Sequence, residues 1–296
     1  DELTIDDDLA VTNGTFDVND QDLTINGSSV IDGGTMQTGT GGIVFGDAGP
    51  DVVTISSGNL YIESDDTTAD ITITAGTWTN SGGTITYDCD TGVSTALLSA
   101  ISSYYNLIIH GTGSTYTADG NIDVDNDLTV TVGTMDMAAL DLTVNNNLLV
   151  DGGVLDLSDA NCDVDVDENV TVTSGTLSAP AAADDGSFTV GGNWEISGAG
   201  IFTDNSGRVF FNAGDAGNTI VTSSGGADDF YQVTFNNAAG TWLLSDELTI
   251  DDDLAVTNGT FDANDQDLTI TGSTVINGGT MRTGTGSLVF DDASDD

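Results

Sequence analysis

The feature that most constrains this chain is a twenty-residue phrase that it keeps rewriting. The first copy is Leu3–Asp22, LTIDDDLAVTNGTFDVNDQD, and further copies open at Leu23, Ile122, Leu142, Val164, Phe188, Leu248 and Leu268. Apolar residues fall at offsets 0, 2, 6, 8 and 13: Leu3, Ile5, Leu9, Val11 and Phe16 in the first copy, Leu142, Val144, Leu148, Val150 and Leu155 in another. Of the 40 such slots in eight copies, only Ser29 and Thr274 are polar. The Phe188 copy fits with one residue inserted before Phe202. Apolar residues two apart mark strands with one buried face. A glycine at offset 11 in seven copies (Gly14, Gly34, Gly133, Gly153, Gly175, Gly259, Gly279) supplies a sharp corner. One copy is therefore three short strands and two turns, too small to bury its apolar face alone. Stacking on its neighbours buries it, and self-similarity at this period is the mark of a solenoid. The expected fold is all-β: a parallel β-helix of about 14 three-strand rungs, right-handed by extension from parallel crossovers.

Between the regular copies the pattern loosens in interpretable ways. IVF at Ile43 is followed by GDAGPD and then VVTI, a four-residue corner insertion after which Val53 and Ile55 resume the second strand. The same event recurs at Val209–Val221. ITITAGTW, residues 71–78, restores the template with Trp78 in the Phe16 slot. Residues 85–121 are the least regular, and Thr95–Ser102 is open to a short helix or to long turns. Residues 104–137 nevertheless align without gaps on residues 230–263. Above that sits a longer period: residues 1–51 return as 246–296 with 10 differences. The expected organisation is one long repeat over 1–245, with sub-repeats of about 3–121 and 122–247, and the start of the next repeat over 246–296. No capping segment is visible at either end, which suits a piece of a tandem array or a protomer that stacks on itself. The chain opens on Asp1 rather than Met, as a mature product or part of a longer chain would.

Charge narrows the partners. Against 49 acidic residues stand only Arg208 and Arg282, a net charge of -47, and all but five of the acids are Asp. Asp is the turn-forming acid, so the acids are expected on corners rather than in a disordered tail. Fourteen rungs at the ~4.8 Å strand spacing would stretch ~67 Å, or about one charge per 1.4 Å, denser than duplex DNA at about one per 1.7 Å. Such a surface repels nucleic acid and anionic membrane and gathers cations, Ca²⁺ first. No apolar run approaches the ~20 residues of a membrane span. Cys89 and Cys162 lie several rungs apart, so an internal disulfide would need a loop to fold back.

The phrases VFFNAGDAGNTIV, FYQVTFNNAAGTWLLSDELTI and LAVTNGTFDANDQDLTITG resemble the repeats of very large prokaryotic surface proteins, the β-solenoid adhesins and fibres similar to filamentous-haemagglutinin and autotransporter passenger regions. That resemblance implies secretion to the cell surface, a structural or adhesive role and no catalytic set. The heavy Asp load and absent Lys depart from the usual look of that group, which favours a fibre over an adhesin.

Three constellations invite chemistry. The corner at offsets 3 to 5 carries Asp6, Asp7, Asp8, Asp125, Asp127, Asp167, Asp251, Asp252 and Asp253. Stacked carboxylates would repel unless bridged, so a ladder of Ca²⁺ sites is one reading. A solvated acidic corner with an Asn ladder is the other. Thr at offset 1 (Thr4, Thr24, Thr143, Thr189, Thr249, Thr269) forms a second array, as an ice- or polysaccharide-binding face or simply by strand propensity. Asn13, Asn26, Asn169 and Asn258 stand in N-x-S/T sequons, and Asn13-Gly14 and Asn258-Gly259 also serve as turn dipeptides. Enzymatic readings are poor: His110 is the lone His, its repeat partner is Asn236, and a lyase-like site would rest on Arg208 or Arg282. The expected function is an extracellular filament, sheath or matrix fibre built by self-association, with a giant adhesin's stalk and a carbohydrate-active β-helix as alternatives.

Overall fold

The structure, a computed structural model, describes residues 2–46, 49–63, 71–74, 76–89, 94–97, 101, 103–159, 161–181, 187–222 and 230–291. They form a parallel β-solenoid of about 12 turns with three-strand rungs, and every strand pairing given is parallel. The repeated phrase dictates this directly. Leu3–Ile5, Leu9–Val11 and Thr15–Asp17 are the first three strands, and each stacks in register on the same slot twenty residues on: Leu3 on Leu23, Leu9 on Ser29, Phe16 on Met36. Alternate residues face inward, so the slots at offsets 0, 2, 6, 8 and 13 line a core within the stack. Met36, Leu60, Ile85, Leu142, Val170 and Leu177 are fully buried within it.

The insertions fall where the sequence places them. Ser29 and Ile31 pair with Val53 and Ile55, a 24-residue step that absorbs four extra corner residues. At the Phe188 copy, Val172 pairs with Ile196 but Leu177 with Phe202, so the single inserted residue becomes a bulge between them. Such insertions also explain why the chain makes about 12 turns and not the expected 14: 296 residues over about 12 turns is about 25 per turn, against twenty in the template. No helix forms among the described residues. Ser94–Leu97 is a strand pairing with Thr115–Ala118, and residues 98–100 and 102 of the Thr95–Ser102 stretch lie outside the described residues.

Two details differ from the template. The second turn of a rung often vanishes: Leu128–Asp136, Leu148–Asp156, Val170–Ser178 and Leu254–Asp262 each run unbroken through it. The glycine at offset 11 makes the kink at Gly14, Gly133, Gly175 and Gly259, all with positive φ. Where two glycines stand together, the first takes that conformation instead, at Gly33, Gly152 and Gly278. At Gly34 and Gly279 the second admits the turn below: a Cβ on Gly34 would lie 2.6 Å from a Val11 methyl.

The chain divides into two compact units, Asp1–Asp136 and Met137–Asp296, and the division falls inside the Ile122 copy. In the first unit one column of strands runs Thr15–Asp17, Thr35–Gln37, Asn59–Ile62, Thr84–Tyr87, the start of Asn106–Ala118, then the start of Leu128–Asp136. Third-strand slots are thus followed by a second-strand slot. The phrase has slipped by one column.

The second unit slips as well. Its column of opening strands, Leu142–Val144, Val164–Val166 and Phe188–Val190, continues through Arg208–Phe211 and the start of Gln232–Leu244. It then meets Leu254, a second-strand residue, opposite Val233. The opening strand Leu248–Ile250 lies in another column, bridged to Phe230. Both slips occur at the pair of segments that the sequence aligns with each other. Each is a thirteen-residue strand, Asn106–Ala118 or Gln232–Leu244. Their registers correspond residue by residue: Leu107 on Leu128 and Val233 on Leu254, Tyr116 on Met135 and Trp242 on Phe261. Trp242 fills the core beside the offset-13 slot of the next turn. Aromatic packing is densest just before the second slip, where Trp194 touches Phe188, Phe202, Phe211 and Phe230 at centroid distances of 4.8–6.3 Å.

Candidate functional site

Many of the described acids lie on corners, while others such as Asp17, Asp123, Asp165 and Asp262 stand within strands; what the corner acids do follows from how turns stack. A corner residue just before a strand has its backbone N–H facing the previous turn. A side-chain oxygen one turn below can accept it. Asp8 Oδ1 accepts from Ser28 N at 2.8 Å, and Asp253 Oδ1 from Ser273 N at 2.8 Å. The same device stands one residue before the opening strand. Asp22 accepts from Gly42 N, Asp141 from Asp163 N, Asp163 from Ser187 N and Asp267 from Ser287 N, at 2.7–3.2 Å. Asp20 and Asp265 take Thr40 N and Thr285 N likewise. A carboxylate receiving such a bond is stabilised in its charged form. Asp265 is accordingly held below the usual carboxylate range by the Thr285 amide and hydroxyl, and Asp32 and Asp151 by hydroxyl donors, Ser57 and Thr173 foremost.

At the corner between first and second strands in the second unit, asparagine performs this task as a ladder. Asn169 Nδ2 donates to Asn147 Oδ1 at 2.8 Å, and Asn193 Nδ2 to Asn169 Oδ1 at 2.7 Å. Asn193 N also donates to Asn169 Oδ1 at 2.9 Å, and Thr219 N to Asn193 Oδ1 at 2.7 Å. Asn169 thus spends both ends of its amide inside the ladder, whereas Asn13 and Asn258 are exposed.

The nine acids singled out by sequence are distributed, not gathered. Asp6, Asp7 and Asp8 face Asn26, Gly27 and Ser28 of the next turn: Asn26 Nδ2 donates to Asp6 Oδ1 at 3.3 Å, and a Cβ on Gly27 would lie 2.6 Å from the Asp7 carbonyl carbon. In the same unit, Asp125 N donates to the Tyr104 carbonyl, and Asp127 Oδ2 accepts from Asn126 Nδ2 at 3.0 Å. In the other unit, Asp167 sits beneath Gly191, whose added Cβ would be 1.9 Å from the Asp167 carbonyl oxygen. Asp251 and Asp252 donate their N–H groups to Phe230 and Tyr231, and Asp252 Oδ2 accepts from Gln232 Nε2 at 2.7 Å. Acids therefore alternate with Asn, Gly, Ser and Gln up these corners. Among the described residues, no group of three or more His, Cys, Asp or Glu is arranged to hold a metal ion. The denser acidic cleft is at the other corner, where Asp246, Glu247, Asp265 and Asp267 line an open space of ≈ 440 Å³ with Ser245 and Gln266. An acid immediately before the opening residue (Asp22, Asp141, Asp163, Asp267) was the sequence signal for it.

The threonine array is interrupted. Thr4 pairs with Thr24, but Thr24 pairs with Val44, and Thr143 and Thr189 are separated by Asp165. Burial pushes the Asp165 carboxyl up, with the Asp167 charge adding to it.

Around Arg208 the second unit has an open groove of ≈ 430 Å³, lined in part by Phe210, Gln232, Asn236 and Asp253. Arg208 lies over the Phe210 ring at 5.6 Å, and its Nε and Nη2 donate to Gln232 Oε1 at 3.0 and 2.8 Å. Hydrogen bonding and stacking are what this arrangement offers. His110 Nδ1 is 2.9 Å from Asp88 Oδ1, while the nearby-in-sequence Ser114 is buried with its hydroxyl donated to the Cys89 carbonyl. Cys89 and Cys162 are both buried, and burial pushes the Cys162 thiol up to about 12. No helix among the described residues is long and apolar enough to cross a membrane.

No known protein family, curated protein or solved structure matches this chain.

Proposed function

We propose that this chain is a structural module of an extracellular or cell-surface fibre, extended by continuing the stack of turns from one repeat or one copy to the next. The observation that carries the reading is an identity. Residues 1–17 recur unchanged as 246–262, and the second occurrence is seated on a preceding turn through Val233–Leu254 and Trp242–Phe261 pairing. The first occurrence presents the same surface uncovered by the described residues: Leu3 is 42% exposed and Leu248 is 2%. A repeat that contains both the start of the next repeat and the means of seating it suits a run of many such units. The likeness to large prokaryotic β-solenoid surface proteins favours the outside of a cell.

Cations belong to the same reading. About four net charges per turn at ~4.8 Å per turn leave strong self-repulsion between turns. Ca²⁺ and other cations collect along the corner columns and relieve it. A stalk of a larger adhesin is the second reading, favoured by the Arg208–Phe210 groove as a place for a glycan or peptide to rest. Electron microscopy of the purified chain, split between Ca²⁺ and a chelator, tests the proposal. Long uniform filaments that shorten in chelator are expected. Separate short particles in both conditions, at every concentration, would defeat it.

A further inference from the structure

We infer that the open face of the first turn is a docking surface for one kind of partner: a β-segment with the chemistry of Phe230–Leu244, FYQVTFNNAAGTWLL, supplied by another repeat of this sort. The inference rests on the module reading above and names the contact that joins one module to the next.

The protein shows the joint once in its own interior. Residues 248–262 have the sequence of residues 3–17 without a difference. The 230–244 segment covers them strand on strand: Phe230 opposite Ile250, Val233 opposite Leu254, Phe235 opposite Val256, Trp242 opposite Phe261. Phe235 stacks on Phe261 at 4.5 Å and 13°. The backbone closes as well. Asp251 N and Asp252 N donate to the Phe230 and Tyr231 carbonyls, and Val233 N donates to the Asp253 carbonyl. Covered in this way, Leu248, Leu254 and Phe261 are 0–2% exposed.

Among the described residues, nothing covers the identical face at the first turn. Leu3 is exposed, and Leu9 and Phe16 are half-buried. The Asp6 and Asp7 N–H groups, the counterparts of Asp251 and Asp252, have no backbone acceptor among the described residues. A parallel strand is the partner that satisfies such an edge, and aromatic residues at the Phe230, Phe235 and Trp242 positions fit its apolar slots. The first unit contains the joint again. Asn106–Ala118 covers the Ile122 copy in the same register, with Tyr104, Leu107, Ile109 and Tyr116 in the corresponding places. Two different sequences performing the same seating show that the contact is set by pattern: apolar at these positions, with a bulge after the second strand at Ile109 and at Phe235. The two segments also shift the phrase to a new column, so the joint accepts the start of a copy that is out of phase with the turns beneath it.

The test is a synthetic peptide of residues 230–245 added to the intact chain, followed by fluorescence of a labelled peptide and by amide hydrogen exchange. Saturable binding is expected, with new protection at Asp6, Asp7 and the Leu9–Val11 strand and no change at Leu288–Phe290. A peptide carrying Trp242→Ala, and a chain carrying Leu9→Asp, should each weaken binding at least tenfold. Because Leu9→Asp could fray the first turn, Phe290→Asp at the opposite end serves as the matched variant and should leave binding unchanged. Absence of saturable binding, or binding indifferent to both Trp242→Ala and Leu9→Asp, overturns the inference. Filaments formed without peptide binding would sink the joint and spare the module; peptide binding by a chain that never assembles would do the reverse.

Discussion

Replacing Asn169 by Ala should be among the most damaging changes available on a polar residue of this chain. The substitution removes three side-chain hydrogen bonds at once: the donation to Asn147 Oδ1 at 2.8 Å, and the two accepted from Asn193, from its Nδ2 at 2.7 Å and its backbone N at 2.9 Å. Each is part-buried, and such bonds contribute about 0.5–1.5 kcal/mol net, with a further penalty for the groups left without partners. The expected loss is about 2–4 kcal/mol, or roughly 6–12 °C in Tm for a unit of this size. Asn169→Asp can still accept from Asn193 but can no longer donate to Asn147, so it should lose about half as much. Thermal denaturation followed by circular dichroism gives the totals, and hydrogen exchange gives the location. The Asn193 amide, whose acceptor is the Asn169 side chain and not a backbone carbonyl, should lose protection first. An Asn169→Ala chain within about 0.5 kcal/mol of the parent, with the Asn193 amide still protected, would refute the ladder as a source of stability.

Acidity should act in two stages. Glu63 and Asp165 are raised, foremost by burial, and so is Asp123, so their charged forms cost stability; as pH falls through those raised values the cost is relieved. Asp265, Asp32 and Asp151 are lowered by the bonds they accept, so their contribution is present above the unfolded Asp value of about 3.9 and is lost as pH falls through their folded values. A Tm profile that is flat or rising from neutral pH to about 5 and drops steeply below about 4 is expected; a drop beginning near 6 would contradict the assignment. Gly14→Ala meets only a left-handed backbone at φ 72° and should cost about 1 kcal/mol, whereas Gly175→Ala adds a Cβ 2.1 Å from the Gly153 carbonyl oxygen and should cost about 3 kcal/mol or more, measured by chemical denaturation. Thr274→Val removes a buried hydroxyl that has no partner among the described residues and should raise stability by about 1 kcal/mol, where a loss would show that the hydroxyl is bonded.

The architecture was legible because the code is short and local. Offsets 0, 2, 6, 8 and 13 give strand, face and turn, and stacking in register then fixes which residue touches which. Even the exceptions kept their meaning, since Ser29 and Thr274, the two polar slots, carry buried hydroxyls that find no partner among the described residues. What the phrase could not reveal is which column it occupies. Leu-Thr-Ile has the same inward pattern whichever of three columns receives it, and only long-range pairing through Asn106–Ala118 and Gln232–Leu244 selects one. The acids were harder for a related reason. An Asp accepting from a backbone N–H two residues on, as Asp17 does from Asn19, is a local event. An Asp accepting from a residue a full turn away, as Asp163 does from Ser187, depends on a stack that the local sequence does not display. The sequence shows the acids of a corner column but not the Asn, Gly, Ser and Gln that interleave with them, nor that Asp8 and Asp253 accept from the next turn's backbone.

The slip of the phrase from one column to another is the part of the account most open to a direct check. Thr234 faces outward beside Ala255, its parallel partner across the joint. Without a slip, the opening strand would lie there and Thr234 would face Thr249. Adjacent parallel strands are ~4.8 Å apart, within the span of a disulfide. Two double variants, Thr234→Cys with Ala255→Cys and Thr234→Cys with Thr249→Cys, should be oxidised under mild conditions and the linked peptides identified by mass spectrometry. The parent chain, which keeps the buried Cys89 and Cys162, is oxidised alongside as the background. The account predicts a 234–255 bridge in high yield and no 234–249 bridge. A 234–249 bridge would mean that the columns run straight through the joint, and that the seating derived from it is wrong.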